Sequence, residues 1–145
     1  MRAVVQRVKR GKVTVDGQVV SEIGPGLVAL VGIRQGDGER VCRYLAEKLV
    51  NLRIFEDEKG KFNYSVKDVG GEILVVSNFT VYGDTRKGRR PSFTEAAPPE
   101  AAREVFERFL DILKEQEVSV KSGIFQATME VEIINDGPVT VIVES

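Results

Sequence analysis

The chain has 145 residues, with 21 basic and 22 acidic side chains, a net charge of −1 and no histidine. That length suits a single domain over 1–145, able to bury roughly 70% of its unfolded surface. Without histidine, Ser-His-Asp and Cys-His relays and His-ligated zinc are excluded, and the lone Cys42 excludes an internal disulfide. No apolar run approaches the ~20 residues of a membrane span, and MRAVVQRVKRGK lacks the apolar stretch of a signal peptide. A cytoplasmic protein with no membrane partner is therefore expected.

In chain order, Val4, Val5 and Val8 predict a first strand. Val13-Thr14-Val15, Asp16-Gly17 and Gln18-Val19-Val20 predict a hairpin, because Asp-Gly accepts the positive φ angles of a type I′ turn. Gly24-Pro25-Gly26 marks a turn before Leu27-Val28-Ala29-Leu30-Val31, an unbroken apolar run that fits a buried strand. Asp37 is read as the N-cap of a helix with Val41, Leu45, Leu49 and Leu52 on one face and Cys42 packed against the core. Glu56-Asp57-Glu58, beside Lys59-Gly60-Lys61, reads as a solvated turn. Ile73-Leu74-Val75-Val76 predicts another buried strand. Pro98-Pro99 opens a second helix whose stripe is Val105, Phe106, Phe109, Leu110 and Leu113. Met129, Val131 and Ile133, then Val139, Val141 and Val143, alternate as two strands separated by Asn135-Asp136-Gly137-Pro138. The fold class is mixed α/β, β-rich, with two main helices.

Three segments carry the candidate chemistry. Ser77-Asn78-Phe79-Thr80 follows a buried strand, where polar groups either line a pocket or satisfy a turn. Arg86, Lys87, Arg89 and Arg90 form a glycine-containing basic loop that lacks P-loop spacing and suits either solvent or phosphates. A second basic cluster, Arg2, Arg7, Lys9, Arg10 and Lys12, makes a polyanionic partner worth considering. Gly137-Pro138 reads either as a hairpin turn or as a rigid backbone corner facing a ligand.

Taken together, the chain resembles the D-aminoacyl-tRNA deacylases. The resemblance runs through Gln6-Arg7-Val8, 23–32, Asn51-Leu52-Arg53-Ile54-Phe55, 70–77, DTRKGRRPSF at 84–93, 123–129 and NDGPVT at 135–140. It implies a homodimer with a barrel-like sheet that hydrolyses the ester joining a D-amino acid, or glycine, to the 3′ end of tRNA. It implies no cofactor, no metal and no DNA partner. By position it assigns the catalytic pocket to Ser77, Asn78 and Thr80, and chiral selectivity and substrate binding to Gly137, Pro138, Phe79, Phe125, Ala127 and Met129. Gly137-Pro138 becomes a cis element inserted into the other subunit, held by Arg7. Arg86, Lys87, Arg89 and Arg90 become contacts to the tRNA backbone.

Two residues depart from the family pattern: Asn78 stands where glutamine is usual, and Gln126 where a small residue is usual. Hydrolysis assisted by the 2′-hydroxyl of the terminal ribose fits a chain without histidine, with backbone N–H groups near 78–80 stabilising the oxyanion. A nucleophilic Thr80 is the rival mechanism. A non-catalytic tRNA-binding module and a general small-molecule esterase are the rival functions.

Overall fold

A computed structural model describes residues 1–145. Its centre is a parallel pair of strands, β3 (Gly26–Gly32) and β6 (Glu72–Ser77), in register from Gly26 opposite Glu72 to Val31 opposite Ser77. Both faces of this pair are covered, which explains the unbroken apolar runs. Leu27, Ala29, Val31, Ile73 and Val75 point to one core, and Val28, Leu74 and Val76 to another. The larger core is closed by α1 (Glu39–Asn51) and α2 (Pro99–Lys114), through Leu45, Leu49, Phe106, Phe109 and Leu113. The smaller core, completed by Val8, Val13 and Ile23, lies inside the curl of the sheet.

The curl comes from β1 (Arg2–Val15), one long strand where the valine spacing suggested two pieces. On one edge β1 pairs with β3 over residues 2–8 and with β2 (Gln18–Ile23) over 11–15. The change of partner falls at Gly11, where a Cβ would stand 2.6 Å from the Val28 side chain. The β1–β2 turn has positive φ at Asp16 (48°) and Gly17 (76°), as the Asp-Gly pair predicts. The short pair β4 (Phe55–Glu56) and β5 (Phe62–Tyr64) projects from the main sheet, and β7 (Ser119–Ser122) pairs in parallel with β6. Side chains nearly close the barrel: the Ser21 hydroxyl donates to the Ser122 carbonyl at 2.5 Å, and the Lys121 ammonium to the Glu22 carbonyl at 2.7 Å.

Two expectations are corrected. The C-terminal residues form one strand, β8 (Glu130–Glu144), which follows the free edge of β1 throughout, with no hairpin. Asn135-Asp136-Gly137-Pro138 belongs to an excursion within it: Gln6 faces Thr140 and Val8 faces Asn135, so one β1 residue spans four on β8. A long strand with an ejected segment and a hairpin share the same alternation, because both keep the flanking valines on one face. Asp37 is also not the cap of α1; Gly38 holds that position without a side-chain hydrogen bond. The Asp37 carboxylate instead receives the N-terminal ammonium at 2.8 Å and the Arg34 N–H at 2.7 Å.

Below the end of β6, Tyr82 is 4% exposed, packed beside Gly32 and beneath the Arg2 guanidinium, 4.7 Å from its ring centre. Burial pushes its phenol up to about 12. No helix is long and apolar enough to cross a membrane.

Removing the partner of a buried charge costs on the order of 3 kcal/mol. Asp37→Asn is therefore expected to lower Tm by several degrees, as read by thermal denaturation. Tyr82 supplies an alkaline test. Its folded pKa is raised, so its contribution is complete below pH 10 and is lost as pH rises from 10 to about 12. Denaturant titrations across that range should show Tyr82→Phe losing on the order of 2 kcal/mol less stability than the unsubstituted protein.

Candidate functional site

Beyond the apolar residues of β6, the chain leaves the sheet and turns at once. The Asn78 N–H still bonds to the Val31 carbonyl at 2.9 Å, which carries the β3 geometry one residue past the strand. Residues 79–82 then form one turn of 3-10 helix. Asn78 caps it: its side-chain Oδ1 accepts the Thr80 N–H at 3.2 Å and the Thr80 hydroxyl at 2.5 Å. An asparagine at this position suits an N-cap, since its short amide reaches the second N–H of the turn. Tyr82 anchors the other end of the turn.

A cavity of about 870 Å³ opens beside this turn, walled mainly by apolar side chains. Val76, Ser77, Asn78 and Phe79 form one side, and Phe125, Gln126, Ala127 and Met129 another. Its floor is Leu30 with Val131 and Ile133, side chains that pack on the small core within the curl. The remaining wall comes from Phe93, Ala96, Ala97, Pro99 and Ala102. That wall is held to β3 by the Ala97 N–H on the Ile33 carbonyl, at 2.9 Å, and the Gln35 N–H on the Glu95 carbonyl, at 3.0 Å. Apolar walls meeting a few fixed polar groups are the usual make-up of a small-molecule site.

Six of the residues assigned from the sequence thus meet around one cavity: Ser77, Asn78, Phe79, Phe125, Ala127 and Met129. Thr80 does not line it; its hydroxyl is turned onto Asn78. Of the expected oxyanion donors, the Asn78 and Thr80 N–H groups are engaged within the chain. Phe79, first residue of the turn, has no partner for its N–H inside that turn.

Gly137 and Pro138 lie outside the cavity wall and are exposed. Their peptide bond is cis. The excursion that carries them is fixed from below by Arg7, itself only 6% exposed. Its Nε donates to the Asp136 carbonyl at 3.0 Å and its Nη1 to the Ile54 carbonyl at 2.9 Å. The carboxylates of Glu56 and Asp136 stand 3.8 and 3.7 Å from the guanidinium. Asn135 closes the excursion from within, its Oδ1 accepting the Val139 N–H at 2.7 Å and its Nδ2 donating to the Val139 carbonyl at 3.2 Å. Those are the backbone groups that a regular ladder to β1 would otherwise satisfy.

The two basic clusters part company. Within 1–12, Arg2 pairs with Glu144, Arg7 is buried, and Arg10 and Lys12 stand 3.2 and 3.9 Å from Glu132 on β8. Apart from the exposed Lys9, that segment is no free anion-binding face, because the acids that meet its bases lie far along the chain. In the loop over 84–93, Asp84 accepts the Arg86 N–H at 3.0 Å and its guanidinium at 2.9 and 2.7 Å. These bonds hold the Asp84 carboxyl at about 2. Lys87, Arg89 and Arg90 stay exposed without acidic partners. The loop adjoins the cavity through Phe93, whose ring meets Phe79 edge-on at 5.0 Å.

The local sequence does not mark Phe93, Arg103 or the Ala96-Ala97 wall as parts of the site. The only local sign of Phe93 is an aromatic just after a proline-restricted basic loop. Nothing local marks Arg103, which reaches Gln126 across 23 positions. No group of three or more Cys, Asp or Glu side chains is arranged to hold a metal ion.

The family described as D-Tyr-tRNA(Tyr) deacylase matches residues 4–144. The chain is 98% identical over 144 residues to the D-aminoacyl-tRNA deacylase of Carboxydothermus hydrogenoformans, covering 99% of each. It is 65% identical over 144 residues to that of Heliobacterium modesticaldum, covering 99% of this chain and 96% of the relative. Among solved structures, a c-Myc DNA Unwinding Element Binding Protein superposes with a TM-score of 0.94 at 45% identity, covering 100% of this chain and 99% of the other. A probable eukaryotic D-amino acid tRNA deacylase shares the fold, with a TM-score of 0.81 at 17% identity over 98% of this chain and 97% of the other. A family match over residues 4–144 and relatives at this identity over nearly the whole chain place it plainly: the chain belongs to the D-Tyr-tRNA(Tyr) deacylase family.

Proposed function

We propose that this protein hydrolyses the ester joining a D-amino acid, or glycine, to the 3′ end of tRNA, and that it spares the L-aminoacyl ester. The observation that carries this reading is the apolar cavity at the end of β6, edged by Ser77, Asn78 and Phe79 in a chain of this family. Its walls suit an adenine ring and an aminoacyl group, and its polar edge suits a ribose and an ester.

The hydrogen bonding favours the ribose 2′-hydroxyl over Thr80 as the group that assists water. A threonine nucleophile needs a base to take its proton. The Thr80 hydroxyl instead donates to the Asn78 amide oxygen, which is no base, and no histidine exists to replace it. The protein's part is then positional: it holds ester and hydroxyl in register, with the Phe79 N–H as oxyanion donor. Asn78 acts as the cap that fixes the turn.

Chiral selection is assigned to Gly137-Pro138. At the substrate Cα, L and D forms exchange hydrogen and side chain, so a rigid backbone corner facing that carbon admits only hydrogen on one side. In the chain's own fold the corner is no part of the cavity wall, so this role calls for a second copy to present it: a homodimer with two reciprocal sites. Its firm seating on Arg7 and Asn135 supports the assignment, since a steric filter fails if it yields.

Deacylation of matched D-tyrosyl-tRNA and L-tyrosyl-tRNA without added metal tests both points. The unsubstituted protein should release the D form and leave the L form intact. Pro138→Ala should lower the ratio of D to L rates by about tenfold or more, about 1.4 kcal/mol of discrimination. An unchanged ratio would remove the corner from the filter, and cleavage of neither form would favour a tRNA-binding module. That second reading draws on the exposed Lys87, Arg89 and Arg90. If they meet phosphates, replacing all three by alanine should raise KM with kcat preserved and reduce the slope of log affinity against log salt by about two units.

A further inference from the structure

Three aromatic side chains stand exposed on this chain: Tyr44, Phe62 and Phe79. Cations of the chain cover the first two. The Lys48 ammonium lies 5.6 Å from the Tyr44 ring centre, and the Arg7 guanidinium 5.7 Å from that of Phe62. Phe79 has no such cover and is 56% exposed. Its ring neighbour is Phe93, which meets it edge-on at 5.0 Å. Phe93 is itself firmly seated. Two backbone hydrogen bonds between Asp84 and Ser92, at 2.7 and 2.9 Å, close the basic loop beside it. A Cβ on Gly83 would stand 3.0 Å from its Cε1, so the bare glycine lets ring and turn approach.

This aromatic pair lies where the polynucleotide must leave the site. The polar edge at Ser77, Asn78 and Phe79 is the place for the terminal ribose. That ribose carries the ester and also the 5′ phosphate joining it to the rest of the strand. The strand therefore leaves the cavity at this edge and not through the apolar floor. Outside it stands the Phe79 ring and, across Phe93, the loop whose Lys87, Arg89 and Arg90 are exposed without acidic partners. An open aromatic ring beside unpaired cations has the composition of a single-strand binding surface: bases stack on the one and phosphates pair with the other.

We propose that Phe79 is a stacking platform for the nucleotide that precedes the terminal adenosine, braced by Phe93 and continuous with the basic loop. The platform takes any base, because stacking uses the π-face and does not read the base edge. The inference rests on the cavity taking the terminal adenosine and its ester, as proposed above.

The test compares D-tyrosyl-tRNA with the same substrate lacking only the base of its penultimate nucleotide. The proteins are the unsubstituted chain, Phe79→Leu, which keeps an apolar side chain but removes the ring, and Phe79→Tyr, which keeps the ring. The readout is the ratio of kcat/KM for intact over abasic substrate, which cancels any effect of the substitution on the chemistry itself. The unsubstituted protein and Phe79→Tyr should show a ratio of about fivefold or more, and Phe79→Leu a ratio near one. If Phe79→Leu is inactive, the same ratio is read from the Kd of uncharged tRNA with and without that base. A ratio near one in the unsubstituted protein would overturn the platform. A weaker homodimer in Phe79→Leu, read by sedimentation beside that result, would give the ring to a second copy instead. A ratio that survives in Phe79→Leu would also overturn it, since the base would then be held elsewhere. Strong preference of the unsubstituted protein for one penultimate base over the others would overturn stacking as the mode. Failure of the unsubstituted protein to cleave either D-tyrosyl substrate would instead overturn the function on which the inference rests.

Discussion

The parallel pairing of β3 with β6 is the constraint from which the remaining architecture follows. Two adjacent strands with apolar side chains on both faces cannot leave either face in water. The helices cover one face, and the curl of β1, β2 and β8 covers the other. A pair clamped from both sides fixes the point where β6 ends, and Ser77 and Asn78 emerge from that point. The Asn78 N–H on Val31 extends the same clamp past the strand, so the cavity edge inherits the rigidity of the sheet.

A second constraint is the buried guanidinium of Arg7. Such a group must find acceptors on nearly every donor, since an uncompensated buried charge is costly. Its acceptors are backbone carbonyls of Ile54 and Asp136, with two carboxylates nearby. Satisfying them holds the β8 excursion against the β4 region. Asn135 supplies part of what the broken ladder omits, meeting both the N–H and the carbonyl of Val139 where the chain returns to β1.

Electrostatics follow the same logic of distant partners. Five bases near the N-terminus look like a binding face until β8 brings Glu144 beside Arg2 and Glu132 beside Arg10 and Lys12. Arg7 is buried between Glu56 and Asp136, which leaves Lys9 alone exposed and unpaired. The 86–90 cluster keeps its charge outward because its loop forms only a short bridge between Asp84 and Ser92, and Asp84 answers Arg86 alone. One cluster is structural and the other remains available, a distinction that residue counts cannot make.

What the sequence by itself determined rests on short-range physics. The Asp16-Gly17 turn, the two buried strands, the proline-opened helix and the position of Ser77-Asn78-Phe79-Thr80 are all set by φ preferences and by periodicity within a few residues. The motif series also pointed to the family. Tertiary structure alone decided whether 130–144 is one strand or two, because only pairing with β1 separates an ejected segment from a hairpin. It alone gave Asp37 to the N-terminal ammonium instead of the helix, and turned the Thr80 hydroxyl onto Asn78. Arg103 meets Gln126 and Phe125 only once α2 packs beside the 123–129 segment. In each case the deciding partner lies far along the chain, and local preference carries no information about a contact that folding has yet to make.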